Sequence, residues 1–268
     1  LPGKNTTKQL EPLIRVGAVS YLNTKPLLYG LEHLPIRSRI SLRVDYPAKL
    51  AKQLTDDEID VGLVPVAVLP QMPFYRIVGS HCIGATGKVG SVSLFSDVPL
   101  QEIETVLLDY QSRTSVALAQ VLSRHFWKRQ VHFEPAGEDF QQLIAGTTAG
   151  VVIGDRAFEQ RSISAFEYDL AEAWVQYSGL PFVFAAWVAN KPLPAWFEAD
   201  FDEANRYGLQ QIEDVIRTLA SPYYNLWQYF TKNISYSFDA DKHKGLNLFL
   251  ELATKAGVAP KQHHLQTL

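Results

Sequence analysis

Ile14-Arg-Val-Gly-Ala-Val19, followed by Ser20-Tyr-Leu-Asn-Thr-Lys-Pro26, is the stretch that decides the fold. The first six residues are an apolar run of strand length, and a helical segment begins near Pro26 and carries Leu27, Leu28 and Leu31. A polar loop between a strand's C-terminal end and a helix start is where open α/β sheets bind ligands. The free N–H groups and positive dipole end of the helix favour an anion there.

The pattern continues outward. Arg39 to Val44 alternates as a half-buried strand does, and Pro47 to Leu54 is helical, with Leu50 and Leu54 on one face. Val61 to Val64 is a second buried strand, ended by Pro65. Strand, helix and strand at this spacing form a βαβ unit, hence a parallel sheet with a right-handed crossover. The middle of the chain repeats the logic. Strand Thr105–Asp109 leads through Tyr110–Ser115 into an amphipathic helix, Val116–Phe126. Val131–Glu134 alternates again, and strand Ala149–Ile153 ends at Gly154-Asp155. Two extended segments, Ser91–Phe95 and Pro181–Ala189, bracket this middle region, and helices at Asp202–Leu219 and Phe238–Ala256 follow. The plan is an α/β chain of two lobes joined by two extended crossovers. Residues 1–92 and 190–268 make the first lobe and 93–189 the second. The ligand cleft lies between them, and closure is a hinge motion about the crossovers. Residues 1–12 read as a loose tail.

Composition narrows the function. The chain has 268 residues, 47% hydrophobic and 20% charged, with net charge −3 and pI about 6.2. No global field draws nucleic acid or an anionic membrane, so an anionic ligand must be held by local donors. The longest apolar runs, such as Leu180–Ala189, are too short to span a bilayer. Cys82 is the single cysteine, so no intrachain disulfide forms, which fits a reducing compartment. Leu1–Pro12 lacks the apolar core of a signal peptide, and a cytoplasmic location is the expectation. Gly84-Ala-Thr-Gly87-Lys88-Val89 only mimics a phosphate loop: its glycines are too close, and Val89 stands where a hydroxyl belongs. The histidines, including the tail pair His263-His264, lack metal-type spacing, and no Gly-x-Ser-x-Gly elbow occurs. Tyr223, Tyr224, Trp227, Tyr229 and Phe230 cluster without interleaved basic residues, which points to core or lobe-interface packing.

Several residues are candidates for the site. Ser112-Arg113-Thr114-Ser115 either caps a helix or seats a carboxylate on its N–H groups. Arg113 either pairs with that carboxylate or is tied to Asp109 or Asp155. Asn23, both donor and acceptor, either orients a hydroxyl or water or forms an Asx-turn. Lys25 reads as a solvated or pairing charge. Asp155, after Gly154, is either a general base or the partner of Arg156. Ser91 and Ser93 share one face of an extended segment, as do Phe182 and Phe184, facing either the cleft or the hinge packing.

Six motifs occur in order: Val-Ser-Tyr-Leu-Asn-Thr-Lys-Pro (19–26), Asp-Val-Gly-Leu-Val-Pro (60–65), Gly-Ser-Val-Ser-Leu-Phe-Ser (90–96), Ser-Arg-Thr-Ser-Val-Ala-Leu (112–118), Ile-Gly-Asp-Arg-Ala (153–157) and Gly-Leu-Pro-Phe-Val-Phe-Ala (179–185). Together they resemble the chorismate dehydratase family of the futalosine-dependent menaquinone pathway, over roughly residues 14–250. The resemblance implies a type II periplasmic-binding-protein-like fold used for catalysis in the cytosol. It implies conversion of chorismate to 3-[(1-carboxyvinyl)oxy]benzoate with loss of water, and no metal or organic cofactor. On this reading Asn23 and Ser91 are catalytic. Ser20, Tyr21, Thr24, Pro65, Ser93, Ser112, Arg113, Thr114, Ser115, Gly154, Asp155 and Phe182 bind substrate. A sister enzyme of the same fold, 1,4-dihydroxy-6-naphthoate synthase, opens instead with a Ser-Pro-Cys-Pro-Asn-Asp-like loop. Val66-Ala67 departs from the small hydroxyl residue common after the Pro65 position, which weakens a substrate contact from that loop. The other reading is a non-catalytic protein that captures an anionic metabolite. The oligomeric state, monomer or homodimer, is left open.

Overall fold

The computed structural model describes residues 12–219 and 225–258. Most of the expected tail, together with Tyr223, Tyr224 and His263-His264, lies outside the described residues. The chain begins with β1 (Ile14–Val19), α1 (Lys25–His33), β2 (Ile40–Asp45), α2 (Pro47–Thr55), β3 (Val61–Pro65) and β4 (Arg76–Ala85). It crosses to β5 (Val92–Ser96), β6 (Thr105–Leu108), α3 (Thr114–His125), β7 (His132–Pro135), β8 (Thr148–Ile153), α4 (Arg156–Gln160), β9 (Phe166–Asp169) and α5 (Leu170–Ser178). It returns through β10 (Phe182–Ala189), α6 (Ala195–Gln210), α7 (Ile212–Arg217), the single turn α8 (Leu226–Gln228), β11 (Ser235–Ser237) and α9 (Ala240–Lys255).

Two mixed sheets result, ordered β11-β4-β10-β3-β1-β2 and β7-β6-β8-β5-β9. As the βαβ reading requires, β1 runs parallel to both β2 and β3. In the second sheet β6 is parallel to β7 and β8, while β5 is antiparallel to β8. One boundary is corrected. Phe182–Ala189 is not a crossover but a strand of the first sheet, antiparallel to β3 and β4. The return therefore occurs between Ser178 and Phe182, and 182–189 belongs with the first lobe rather than the second. The reason is hydrogen bonding: an apolar run flanked by two open strand edges is stabilised by joining them. The single helix expected over Asp202–Leu219 is two, α6 and α7, broken at Gln211.

The helix that carries the opening loop is held by backbone contact. α1 lies against α6 at Gly30 and Gly208. A Cβ on Gly208 would stand 1.8 Å from the Pro26 carbonyl oxygen, and one on Gly30 would stand 1.7 Å from that of Ala204. Only glycine permits this approach. Beneath it, the buried Trp187 donates from Nε1 to Asn205 Oδ1 at 3.1 Å, and Asn205 Nδ2 donates to the Phe201 carbonyl at 2.7 Å. At the far end of β1, Asp60 receives the Arg15 backbone N–H at 2.8 Å and the Arg15 guanidinium at 2.6 Å, with Lys191 at 3.1 Å. Asp169 ties the crossing to α5. Its carboxylate accepts from Val89 and Gly90 N–H and from Ala171 and Glu172 N–H, which cap the helix.

Candidate active site in the cleft

A cavity lies where the two lobes meet, with about 560 Å³ of space free of protein atoms, part of it open to solvent. The ends of three strands point to it: Val19 of β1, Pro65 of β3 and Ile153 of β8. So do three helix starts: Asn23 and Thr24 before α1, Pro47 of α2, and Thr114 and Ser115 of α3. Their first-turn N–H groups lack helical partners and favour negative charge. None of the described lining residues is charged, so an anion here is met by neutral donors and helix ends.

Asn23 and Ser91 both line the cavity. Asn23 Oδ1 accepts the Thr24 hydroxyl at 3.2 Å, and no partner among the described residues engages Nδ2, so that amide donor remains available. The Asn23 backbone carbonyl accepts the Tyr236 hydroxyl at 2.9 Å. Ser91, fully buried, accepts the Tyr229 hydroxyl at 2.8 Å and keeps its own proton to donate. The loop before α3 supports both of its readings. Ser112 Oγ accepts from Ser115 N–H at 3.0 Å, a local cap, while Ser112, Thr114 and Ser115 all line the cavity.

Two hydrogen bonds join the lobes beside the cleft. Tyr21 donates its hydroxyl to Gln111 Oε1 at 2.5 Å, and Ala67 N–H donates to Thr114 Oγ1 at 3.2 Å. The Ala67 position therefore contributes through its backbone. Burial, with the charge of Asp109, pushes the Tyr21 phenol far above its ordinary value, so it stays a neutral donor. Its ring packs on Gly154, whose φ of +65° and missing side chain make room; a Cβ there would lie 3.1 Å from the ring.

Five of the expected substrate contacts lie outside the cavity lining. Ser20 and Arg113 are exposed and outside the lining, Arg113 because it precedes the first turn of α3 with its side chain in solvent. Ser93 is buried in the second lobe with its hydroxyl donated to Glu167 Oε1 at 3.0 Å. Phe182 is fully buried among Trp174, Phe184 and Phe249, and Phe184 takes its place at the cavity wall. Asp155 also lies outside the lining. Arg156 does not pair with it but donates to the buried Asp109 at 2.7 Å. Asp155 accepts instead a long 3.4 Å bond from Leu22 N–H, and crowding by protein raises its carboxyl above the ordinary value despite its exposed surface. Tyr21, Asn23, Thr24, Pro65, Ser91, Ser112, Thr114, Ser115 and Gly154 are brought together as expected. The apolar wall of Ile83, Val89, Val92 and Ile153 escapes sequence reading, because aliphatic residues at strand ends look like core. Among the described residues no cluster of three or more His, Cys, Asp or Glu side chains could hold a metal, and no helix is long and apolar enough to cross a membrane.

Solved structures share this architecture. A structural-genomics protein from Archaeoglobus fulgidus superposes with TM-score 0.68 at 16% identity, covering 91% of this chain and 98% of that one. The aliphatic sulphonate binding protein SsuA of Escherichia coli gives TM-score 0.63 at 14% identity, covering 97% and 96%. A Candida albicans gene product described as having the generic periplasmic binding protein fold gives 0.57 at 13%, covering 96% and 98%. The fold is thus periplasmic-binding-protein-like. In sequence, the chain is 26% identical over 259 residues to a chorismate dehydratase of Thermus thermophilus, covering 88% of this chain and 93% of that protein. A family model described as menaquinone biosynthesis matches residues 14–255, nearly the whole length, and the chain belongs to that menaquinone-biosynthesis family.

Proposed function

We propose that this chain dehydrates chorismate to 3-[(1-carboxyvinyl)oxy]benzoate, as a cytoplasmic carbon–oxygen lyase that needs no metal or organic cofactor. The observation that carries the reading is the uncharged cleft, in which an unengaged amide donor on Asn23 and the hydroxyl of Ser91 face a space bounded by three helix starts. The Thermus thermophilus relative of that name supports it.

The chemistry asks little of the protein. Loss of a ring hydroxyl and a neighbouring ring proton creates a benzene ring, so aromatisation supplies much of the driving force. The enzyme holds two carboxylates, orients the ring and assists the leaving oxygen. The N–H groups at the starts of α1 and α3 and the hydroxyls of Ser112, Thr114 and Ser115 suit the carboxylates. Asn23 Nδ2 and Ser91 Oγ suit the leaving oxygen as donors that need not titrate. Among the described residues the lining offers no general base. A substrate carboxylate takes the ring proton in this reading, with the closed lobes excluding water.

The test is incubation with chorismate, following loss of its diene absorbance and identifying the product by mass. Asn23→Ala should still bind chorismate but lose about 10²-fold or more in turnover; full retained activity would remove Asn23 from this role. If Asp155→Asn abolished turnover with binding and fold intact, the proton acceptor would be Asp155. Tight binding without turnover would indicate capture of an anionic metabolite instead. Turnover of cyclic dehypoxanthine futalosine would indicate the sister synthase.

A further inference from the structure

The segment after α8 sends two buried tyrosines to the two groups assigned to the leaving oxygen. Tyr229, fully buried, reaches the hydroxyl of Ser91 at 2.8 Å, and Tyr236 reaches the backbone carbonyl of Asn23 at 2.9 Å. Resting on the dehydratase reading, we propose that Tyr229 and Tyr236 are the positioning residues of this site. Tyr229 aims the Ser91 hydroxyl, and Tyr236 fixes the turn that presents the Asn23 amide.

The surroundings make both tyrosines rigid. Tyr229 opens a π-helical turn, Tyr229–Asn233, of the kind that recurs at functional sites. Its ring meets Phe158 of the other lobe edge-on, with centroids 5.3 Å apart. In the same turn Asn233 Nδ2 donates to the Lys88 carbonyl at 2.9 Å, fastening the turn to the crossing that carries Ser91. Tyr236 sits on β11, which pairs with β4. Strand alternation sends Ser235 and Ser237 to the face opposite Tyr236. There the fully buried Lys242 donates to Ser235 Oγ at 2.7 Å and to the Ser237 carbonyl at 2.6 Å. The lysine thus pins the short strand on one face while Tyr236 reaches the site from the other. Both hydroxyls bond to groups of the proposed chemistry, which core packing alone does not require: phenylalanine would fill the same volume.

Tyr229→Phe and Tyr236→Phe remove only the hydroxyls. Each should lower kcat for chorismate about 5- to 15-fold, the loss of one neutral hydrogen bond, with KM changed less than about twofold. Double-mutant cycles give the decisive reading. If Tyr229 acts through Ser91, Tyr229→Phe adds almost nothing to Ser91→Ala; if Tyr236 acts through Asn23, Tyr236→Phe adds almost nothing to Asn23→Ala. Multiplicative losses, or single variants with unchanged kcat, would overturn the proposal. A wild-type protein inert toward chorismate would defeat the dehydratase reading instead. Hydrogen exchange then tests the positioning without turnover. Amides near residues 22–25 should exchange faster in Tyr236→Phe, and those near 89–92 faster in Tyr229→Phe. Unchanged exchange in both, or a rise spread over the whole chain rather than confined to those segments, would refute it.

Discussion

Replacing Gly208 by alanine tests whether a helix contact on the outer side of the first lobe governs the cleft. The added Cβ would stand 1.8 Å from the Pro26 carbonyl oxygen, 2.9 Å from Gly30 N and 3.0 Å from the Pro26 carbonyl carbon. All three are backbone atoms, so no side chain can swing aside. Ordinary contact begins near 3.4 Å, and the shortest of these approaches falls about 1.6 Å short of it, so α1 must retreat from α6 by roughly that much. The retreat disturbs two helices in contact whose Leu27, Leu31, Phe201 and Ala204 are all fully buried. Overpacking of this kind costs about 2–4 kcal/mol. At about 2–4 °C per kcal/mol for a chain of this size, the melting temperature should fall by roughly 4–16 °C. The same movement carries the N-terminus of α1, and Asn23 precedes its first residue, Lys25, by two positions. A misplacement near 1 Å at a reacting group costs on the order of 10²-fold in rate. Thermal melting and chorismate turnover should therefore fall together. Gly137→Ala is the control, because its Cβ would meet nothing within 4 Å. If Gly208→Ala melted within about 2 °C of the wild type and kept full turnover, the account of α1 as a helix held by backbone contact would be wrong.

Three further outcomes follow from the geometry. Gly154→Ala forces a side chain into φ +65° with its Cβ 3.1 Å from the Tyr21 ring; it should cost about 1–2 kcal/mol in urea unfolding and weaken ligand binding by displacing Tyr21. Tyr21→Phe removes the bond to Gln111 that joins the lobes, so small-angle scattering of the ligand-free protein should show a larger radius of gyration, and an unchanged profile would count against the clasp. The Asp60 carboxyl is held at about 2 by Arg15 and Lys191 against the opposing effect of burial. Its folded value lies below the unfolded one, so the stabilisation is complete above about pH 4 and is lost as pH falls toward 2. Allowing for solvent screening of partly exposed partners, Asp60→Asn should remove about 1–2 kcal/mol at pH 7 and flatten the acid limb of the stability curve over that window.

The strand–loop–helix units were legible because each is local. Ile14–Val19 and Thr105–Leu108 are apolar runs ended by polar loops, and both loops reach the cavity. Asn23 was an even choice between turn-former and functional amide in sequence; its unengaged Nδ2 at the cavity supports the second role. What stayed hidden depends on partners distant in the chain. Phe182 and Phe184 share a face of β10 and their rings touch, so which of them reaches the cleft turns on position along the strand, next to the irregularity between Val183 and Ala185, which periodicity alone leaves undetermined. Arg156 looked like the partner of adjacent Asp155, yet Asp109, at the end of the neighbouring strand, is the buried carboxylate that captures it. Ser93 was lost to Glu167 by a cross-strand contact of the same kind. The sequence points to core or lobe-interface packing for Tyr229, which is fully buried with its ring against Phe158 of the other lobe, but no spacing rule signals a hydroxyl directed to Ser91.

The place of β10 also governs how the protein is made. Ala85 at the end of β4 pairs with Phe182 at the start of β10, so the whole second lobe is synthesised between two neighbouring strands. Until β10 emerges, β3 presents an unpaired edge of an otherwise assembled βαβ unit, and β4, whose partners β10 and β11 both come later in the chain, has no strand beside it. At about 5–20 residues per second, those edges stay open for several seconds on the ribosome. The second sheet has no such debt, since all five of its strands lie between the crossings. It can complete itself first and serve as the body against which the first lobe closes. Slow codons or chaperone binding would thus matter most while the second lobe is being translated, and destabilising that lobe would expose the first to aggregation through its open edges.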